Sequence, residues 1–281
     1  MSAPAQDSLG AIRQTAPMPG LRLDLVDEEA SLLRLDREWQ CLLSQMARPS
    51  PFLSFPWITT WWRHFGRGSR LFIVIARGPG GELVGAAPLH IVPRRLAGIV
   101  TVRSLEFIGY RGSAVCADHL DFLTPANARA AVTAALMQEL LQRREEWDAL
   151  VLADLAEESQ VPAALSAVAP ALCSRLETAE TCFYRGLPAS AEELWADIRR
   201  FHPKLASNVK YYRKRLQQRH QVQWVAPVPA VELDSTLEAL ARLHGLAHGR
   251  KDETGNFGRP EYRAFHQELI RALASDRALY L

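Results

Sequence analysis

The stretch RLFIVIARGPGGELVGAAPLHIV, residues 70–92, most limits what this chain can become. Two apolar runs flank GPGG (78–81), and a glycine-rich turn between such runs makes a hairpin. The same glycines do not form a phosphate loop. That motif needs a helix after the turn and a Lys-Ser/Thr pair, whereas here a second strand follows. TVRSLEFIG (101–109) reads as a third strand and DHLDFL (118–123) as a short fourth.

Helices surround this block. LRLDLV (21–26) alternates as a half-buried strand, and an amphipathic helix over 28–46 carries Leu32, Leu35, Trp39 and Leu42 near helical spacing. A helix starts near Ser54–Pro56 and closes at Gly66, with proline in the first turn and glycine at the stop. A helix over 125–144, a buried strand WDALVLADL (147–155), an Ala-rich helix over 159–170 and a strand over 174–187 follow. After GLPAS the pattern restarts. Ser190 caps a helix with Glu193 three residues on, and a basic helix runs over 203–219. A strand VQWVAPV (222–228), helices near 232–249 and 260–274, and a strand start RALYL complete the chain. The fold class is α/β.

Charge separates the two parts. The 281 residues carry a formal charge of +2, split as −2 over residues 1–186 and +4 over 187–281. Residues 201–220 hold six Lys or Arg and no acid. On that helix Leu205, Val209, Tyr212 and Leu216 form one apolar seam, with Lys210, Arg213, Lys214 and Arg219 away from it. No acid balances the cations through i,i+4 pairs. An electropositive wall beside an anionic ligand and a plain solvated face both fit. Nucleic acid fits less well, since no aromatic platform or reader fold accompanies the helix, and no DNA partner is expected.

Other motifs are weaker. His244 and His248 stand four apart, but no H-E-x-x-H glutamate or third ligand accompanies them, so no metal is expected. YRGSAVCADHLDFL (110–123) gathers Tyr110, Ser113, Cys116, Asp118, His119 and Asp121. Ser113 and Cys116 compete as nucleophiles without a nucleophile-elbow context, so the loop reads better as the wall of a binding site. Asp121 either points into that cleft or caps the helix beginning near Pro125. The four cysteines (Cys41, Cys116, Cys173, Cys182) contain no C-x-x-C, which fits free thiols in a reducing compartment. The first 20 residues read as a disordered lead-in rather than a signal peptide, and no run is long enough to span a bilayer. The expected location is the cytoplasm.

The ordered segments resemble a family. PFLSFPWITTWWRHFGRGSRLFIVIARGPGGELVGAAPLHIVPRR looks like the opening of bacterial GNAT-superfamily acyltransferases of the CelD-like type, labelled for cellulose biosynthesis. Asp118, Leu120, Asp121 and Phe122 match its acidic D-x-L-D-F segment. Lys204, Asn208, Arg213, Arg215 and Leu216 match its basic helix. ALARLHGLAHGRKDETGNFGRPEYRAFHQELIRALA is similar to its next helix, loop and helix. The resemblance covers about residues 30–281. It implies tandem GNAT-like mixed-sheet domains flanked by helices: a first domain over 21–186 and, over 187–281, the N-terminal part of a second that the family continues past RALYL.

It further implies acyl transfer from acyl-CoA, such as acetyl-CoA, to an amine or hydroxyl on a small molecule, glycan or peptide. Its label adds polysaccharide or envelope metabolism. Asp118, His119 and Asp121, with Tyr110 and Trp57, are the expected acceptor contacts. Lys204, Asn208, Lys210 and Arg213 are the expected donor contacts, and no general base is assigned. The junction DFLTPANARAA lacks the family's Gln/Arg-x-x-Gly-x-Gly/Ala turn, where backbone N–H groups would meet a pyrophosphate at a helix N-terminus. The alternative is therefore a non-catalytic module that binds an anionic partner through the basic helix over 199–219.

Overall fold

The computed structural model describes residues 20–96, 98–110, 115, 117–178, 181, 186–222, 230–249 and 255–275. Chain contacts divide it into two units, Met1–Leu176 with Ala230–Leu279 and Glu177–Pro229 with Tyr280–Leu281.

The first unit is built on one mixed sheet of β1 (Arg22–Val26), β2 (Arg70–Arg77), β3 (Leu83–Leu96), β4 (Val100–Phe107) and β5 (Ala149–Val151), in that spatial order. The first four strands run antiparallel, and β5 joins β4 in parallel. The GPGG turn forms the expected hairpin, with the Gly78 N–H on the Glu82 carbonyl at 2.9 Å. A parallel neighbour needs a crossover, which α4 (Arg129–Gln142) supplies between β4 and β5. α4 lies close against β3. A Cβ on Gly85 would come within 2.4 Å of Val132 Cγ1, so only glycine permits this approach. Five residues along β3, on the other face of the sheet, His90 meets the indole of Trp61 on α3 (Phe55–Phe65).

Three elements differ from the sequence pattern. The helix expected over 28–46 is two, α1 (Glu29–Leu33) and α2 (Asp36–Ser44). Its backbone tightens where the Leu35 N–H bonds to the Leu32 carbonyl, and Leu32, Leu35, Trp39 and Leu42 all reach the core. DHLDFL is not a strand. Its pairing is a single bridge between Leu123 and Ala86, and His119 at φ 55° breaks the extended run. β5 is also shorter than WDALVLADL suggests, because Asp154 turns to φ 58°. The described part of the strand expected over 174–187 carries no regular structure, and nearly all of VQWVAPV lies outside the described residues.

After α5 (Val161–Val168) the chain runs through the second unit, then returns as α8 (Leu233–Gly249) and α9 (Pro260–Ser275). α9 packs on α3. Phe265 is fully buried, its ring 5.3 Å from Phe65 and 6.2 Å from Trp57, while Glu268 binds Arg63 and His64. In the second unit α6 (Ala191–Phe201) starts as expected, with Ser190 Oγ accepting the Glu193 N–H at 3.2 Å. α7 (Pro203–Arg219) follows across His202, and neither helix contains a buried residue. No helix of the described residues is long and apolar enough to cross a membrane.

Candidate functional site

The residues after β4 position the first group of candidates. Leu123 exchanges both backbone hydrogen bonds with Ala86, and the Leu120 N–H donates to the Asp154 carbonyl. This seats Leu120, Phe122 and Leu123 in the core and leaves Asp118 and His119 exposed. Asp121 turns the other way. One carboxylate oxygen accepts the Phe122 N–H and the Ser159 hydroxyl at 2.8 and 2.9 Å, and the other accepts Arg129 at 3.0 Å. Burial pushes its pKa up, opposed by these three donors. The contact is with the side chain of Arg129 in the first turn of α4, so Asp121 braces that turn without capping its backbone. The acidic segment therefore has an exposed pair, Asp118 and His119, and a satisfied carboxylate between α4 and the segment before α5.

A second group lies where α3 crosses the sheet. Trp57 is 3% exposed, its ring held edge-on to Phe52 at 5.6 Å and to Phe265. Gly109, at φ 102°, passes so close that a Cβ would lie 2.4 Å from the indole. Tyr110 follows, half-buried, with its N–H on the Phe107 carbonyl. Beside it is a polar cluster that the sequence analysis missed. His90 on β3 pairs in register with Glu106 on β4, so both side chains leave the same face. Glu106 is 2% exposed and receives a two-pronged hydrogen bond from Arg94, at 2.9 and 2.6 Å. His90 is 4% exposed, packed against Trp61 and Trp62 at ring separations of 5.1 and 6.5 Å.

Neither His90 ring nitrogen has a hydrogen-bond partner. Desolvation lowers its pKa to about 4, opposed by the Glu106 charge and reinforced by Arg94. The Phe107 backbone favours the charged form slightly without reaching hydrogen-bond geometry. A neutral imidazole has one donor and one acceptor, and Glu106 keeps acceptor capacity beyond the Arg94 fork. The fold thus keeps the His90 imidazole neutral, with both ring nitrogens enclosed beside the Glu106–Arg94 pair. The signal was present in PLHIV and SLEFI, where a single polar residue between two apolar ones marks the opposite face of a strand. Only the pairing of the strands brings the two together.

The basic residues belong to the second unit. Lys204 and Asn208 are four apart and share one side of α7, while Lys210 and Arg213, three apart, share another. At about 100° per residue these sides point away from each other, so one small anion meets at most one pair. None of the six α7 cations pairs with a carboxylate among the described residues.

Cys41 and Cys173 are free and exposed. Ser113, Cys116, Cys182 and the side chain of His248 lie outside the described residues, within which no cluster of three metal-binding side chains occurs. Searches against protein-family models and curated proteins find no match to this chain.

Proposed function

We propose that this chain belongs to an acyltransferase of the GNAT type, moving an acyl group from acyl-CoA or a similar donor to an amine or hydroxyl. One observation carries the reading. The first unit has four antiparallel strands, the helices α1, α2 and α3 between its first two strands, and a fifth strand added in parallel through α4. A mixed sheet flanked by helices is compatible with the domain that the family resemblance implies. The tandem arrangement, with a second GNAT-like unit from residue 187, and a cytoplasmic location belong to the same proposal.

In this reaction the acceptor attacks the thioester directly within a ternary complex. The protein has to hold the two reactants together, take the acceptor proton and stabilise the developing oxyanion. Asp118, His119 and Tyr110 are the proposed acceptor contacts. Asp121 supports them by fixing the segment. Lys204 with Asn208, in the second unit, is proposed separately as a pair that meets an anionic group there. No residue is assigned as the base. The test is release of free CoA thiol from acetyl-CoA with a panel of amines and sugars, alongside calorimetric titration with CoA. Turnover or micromolar CoA binding supports the reading, and absence of both overturns it.

A second reading has its own observation. α4 begins at Arg129 with Ala128 at its N-cap and no side-chain cap, and its first turn is tied to Asp121 through Arg129, where the family would hold a pyrophosphate. With six cations on α7 that pair with no carboxylate among the described residues, this favours a non-catalytic module that binds an anionic partner through that helix.

A further inference from the structure

The arrangement of α6 and α7 points to one kind of anionic partner, which deepens the second reading above and rests on it. We infer that this helical pair docks on the surface of an anionic lipid bilayer.

The cations are spread too widely for a small ligand. Lys204 and Arg219 stand about 22 Å apart along the axis at 1.5 Å per residue, with Lys210, Arg213, Lys214 and Arg215 between them. An extended array matches an extended anion. The seam beside it limits which anion. Leu205, Val209, Tyr212 and Leu216 lie on one strip, yet they are 51%, 37%, 61% and 48% exposed. On α6, Trp195 and Phe201 are exposed as well, at 37% and 56%. Among the described residues neither amphipathic helix has a buried residue, and much of each apolar side is exposed.

A nucleic-acid backbone would neutralise the cations and leave the aliphatic strip wet. A second copy of the chain would bury the strip but set Arg213 and Arg215, on either side of it, against their own equivalents. The headgroup region of an anionic bilayer accepts both features. Leu, Val and Tyr side chains enter the acyl boundary, and flanking Arg and Lys side chains reach back to the phosphates. Lys210 and Lys214, on the far side of the helix, remain within a Debye length of the surface at physiological salt.

The experiment is co-sedimentation of the full 281-residue chain with phosphatidylcholine vesicles and with vesicles containing 30% phosphatidylglycerol. A 30-nucleotide single-stranded DNA serves as a second polyanion, its binding read by fluorescence anisotropy. Partitioning to the anionic vesicles alone is expected, falling as salt rises. Arg213→Gln, Arg215→Gln and Arg219→Gln combined should reduce it about a hundredfold, at about fivefold per cation. Leu205→Ser with Leu216→Ser should reduce it with all six cations intact. Both variants change only exposed positions, so the fold is kept. Unchanged partitioning in the serine variant overturns the lipid assignment in favour of charge alone. Binding to DNA without vesicle binding overturns it too, while the second reading stands. Binding to neither removes both.

Discussion

The buried imidazole of His90 makes the stability of the first unit depend on pH in a defined direction. In the unfolded chain a histidine titrates near 6.5, and in the fold this one is held at about 4 by loss of solvent. The fold therefore favours the neutral ring. Its contribution is fully present above pH 6.5, is lost as pH falls towards 4, and levels off below that, because the unfolded state binds the extra proton first. At 1.36 kcal/mol per tenfold, the full effect is about 3 kcal/mol, of which about 2 kcal/mol is already lost at pH 5. The perturbation that isolates it is His90→Phe, which keeps a flat ring against Trp61 and Trp62 and removes both unpaired nitrogens. Urea unfolding of the two proteins at pH 7.5, 6.0, 5.0 and 4.5 gives the difference directly, since carboxylate titrations elsewhere are common to both. The variant should equal or exceed the wild type at pH 7.5, because it leaves no unsatisfied polar atom at that position. Its relative advantage should then grow by about 2 kcal/mol at pH 5. A difference that stays flat from pH 7.5 to 4.5, or moves in favour of the wild type in acid, refutes the reasoning.

Other expectations follow from single contacts. Gly109→Ala places a methyl group against the Trp57 ring at a backbone angle that L residues rarely adopt, and should cost about 2–4 kcal/mol by chemical denaturation. Asp121→Ala strands Arg129 and Ser159 and should cost about 1–3 kcal/mol, whereas Asp121→Asn should recover part of that loss in the same assay. Phe265→Ala opens a cavity between α9 and α3 and should cost about 3–5 kcal/mol, read as a fall in melting temperature. Ser190→Ala removes the cap of α6 and should reduce helical circular dichroism for about 1 kcal/mol of helix stability.

Local chemistry made much of the fold legible in the sequence. GPGG, Pro56 with Gly66, and Ser190 with Glu193 each mark an element boundary through one residue's backbone preference or one hydrogen bond. The basic helix was legible from its 3.6-residue seam. What escaped is non-local. That Leu123 bridges Ala86, that Glu106 lies opposite His90, and that Phe265 fills the space beside Trp57 depend on register and packing between distant segments. The candidate site divides the same way. Asp121 stood out by its alternation with Leu120 and Phe122, but its partners Ser159 and Arg129 belong to other elements. Trp57 stood out as an aromatic residue and proves to be enclosed in the core.

The packing of α9 on α3 also sets a timetable for synthesis. α3 ends at Phe65, and Phe265, which completes its outer side, is made about two hundred residues later. At about 5–20 residues per second the ribosome needs about 10–40 s to deliver it. Through that interval the nascent chain shows Phe65 and part of Trp57 uncovered, with Glu177–Pro229 of the second unit still to be made in between. A chaperone that binds exposed aromatic surface has its opportunity during this window, and translational pausing between codons 177 and 229 would lengthen it.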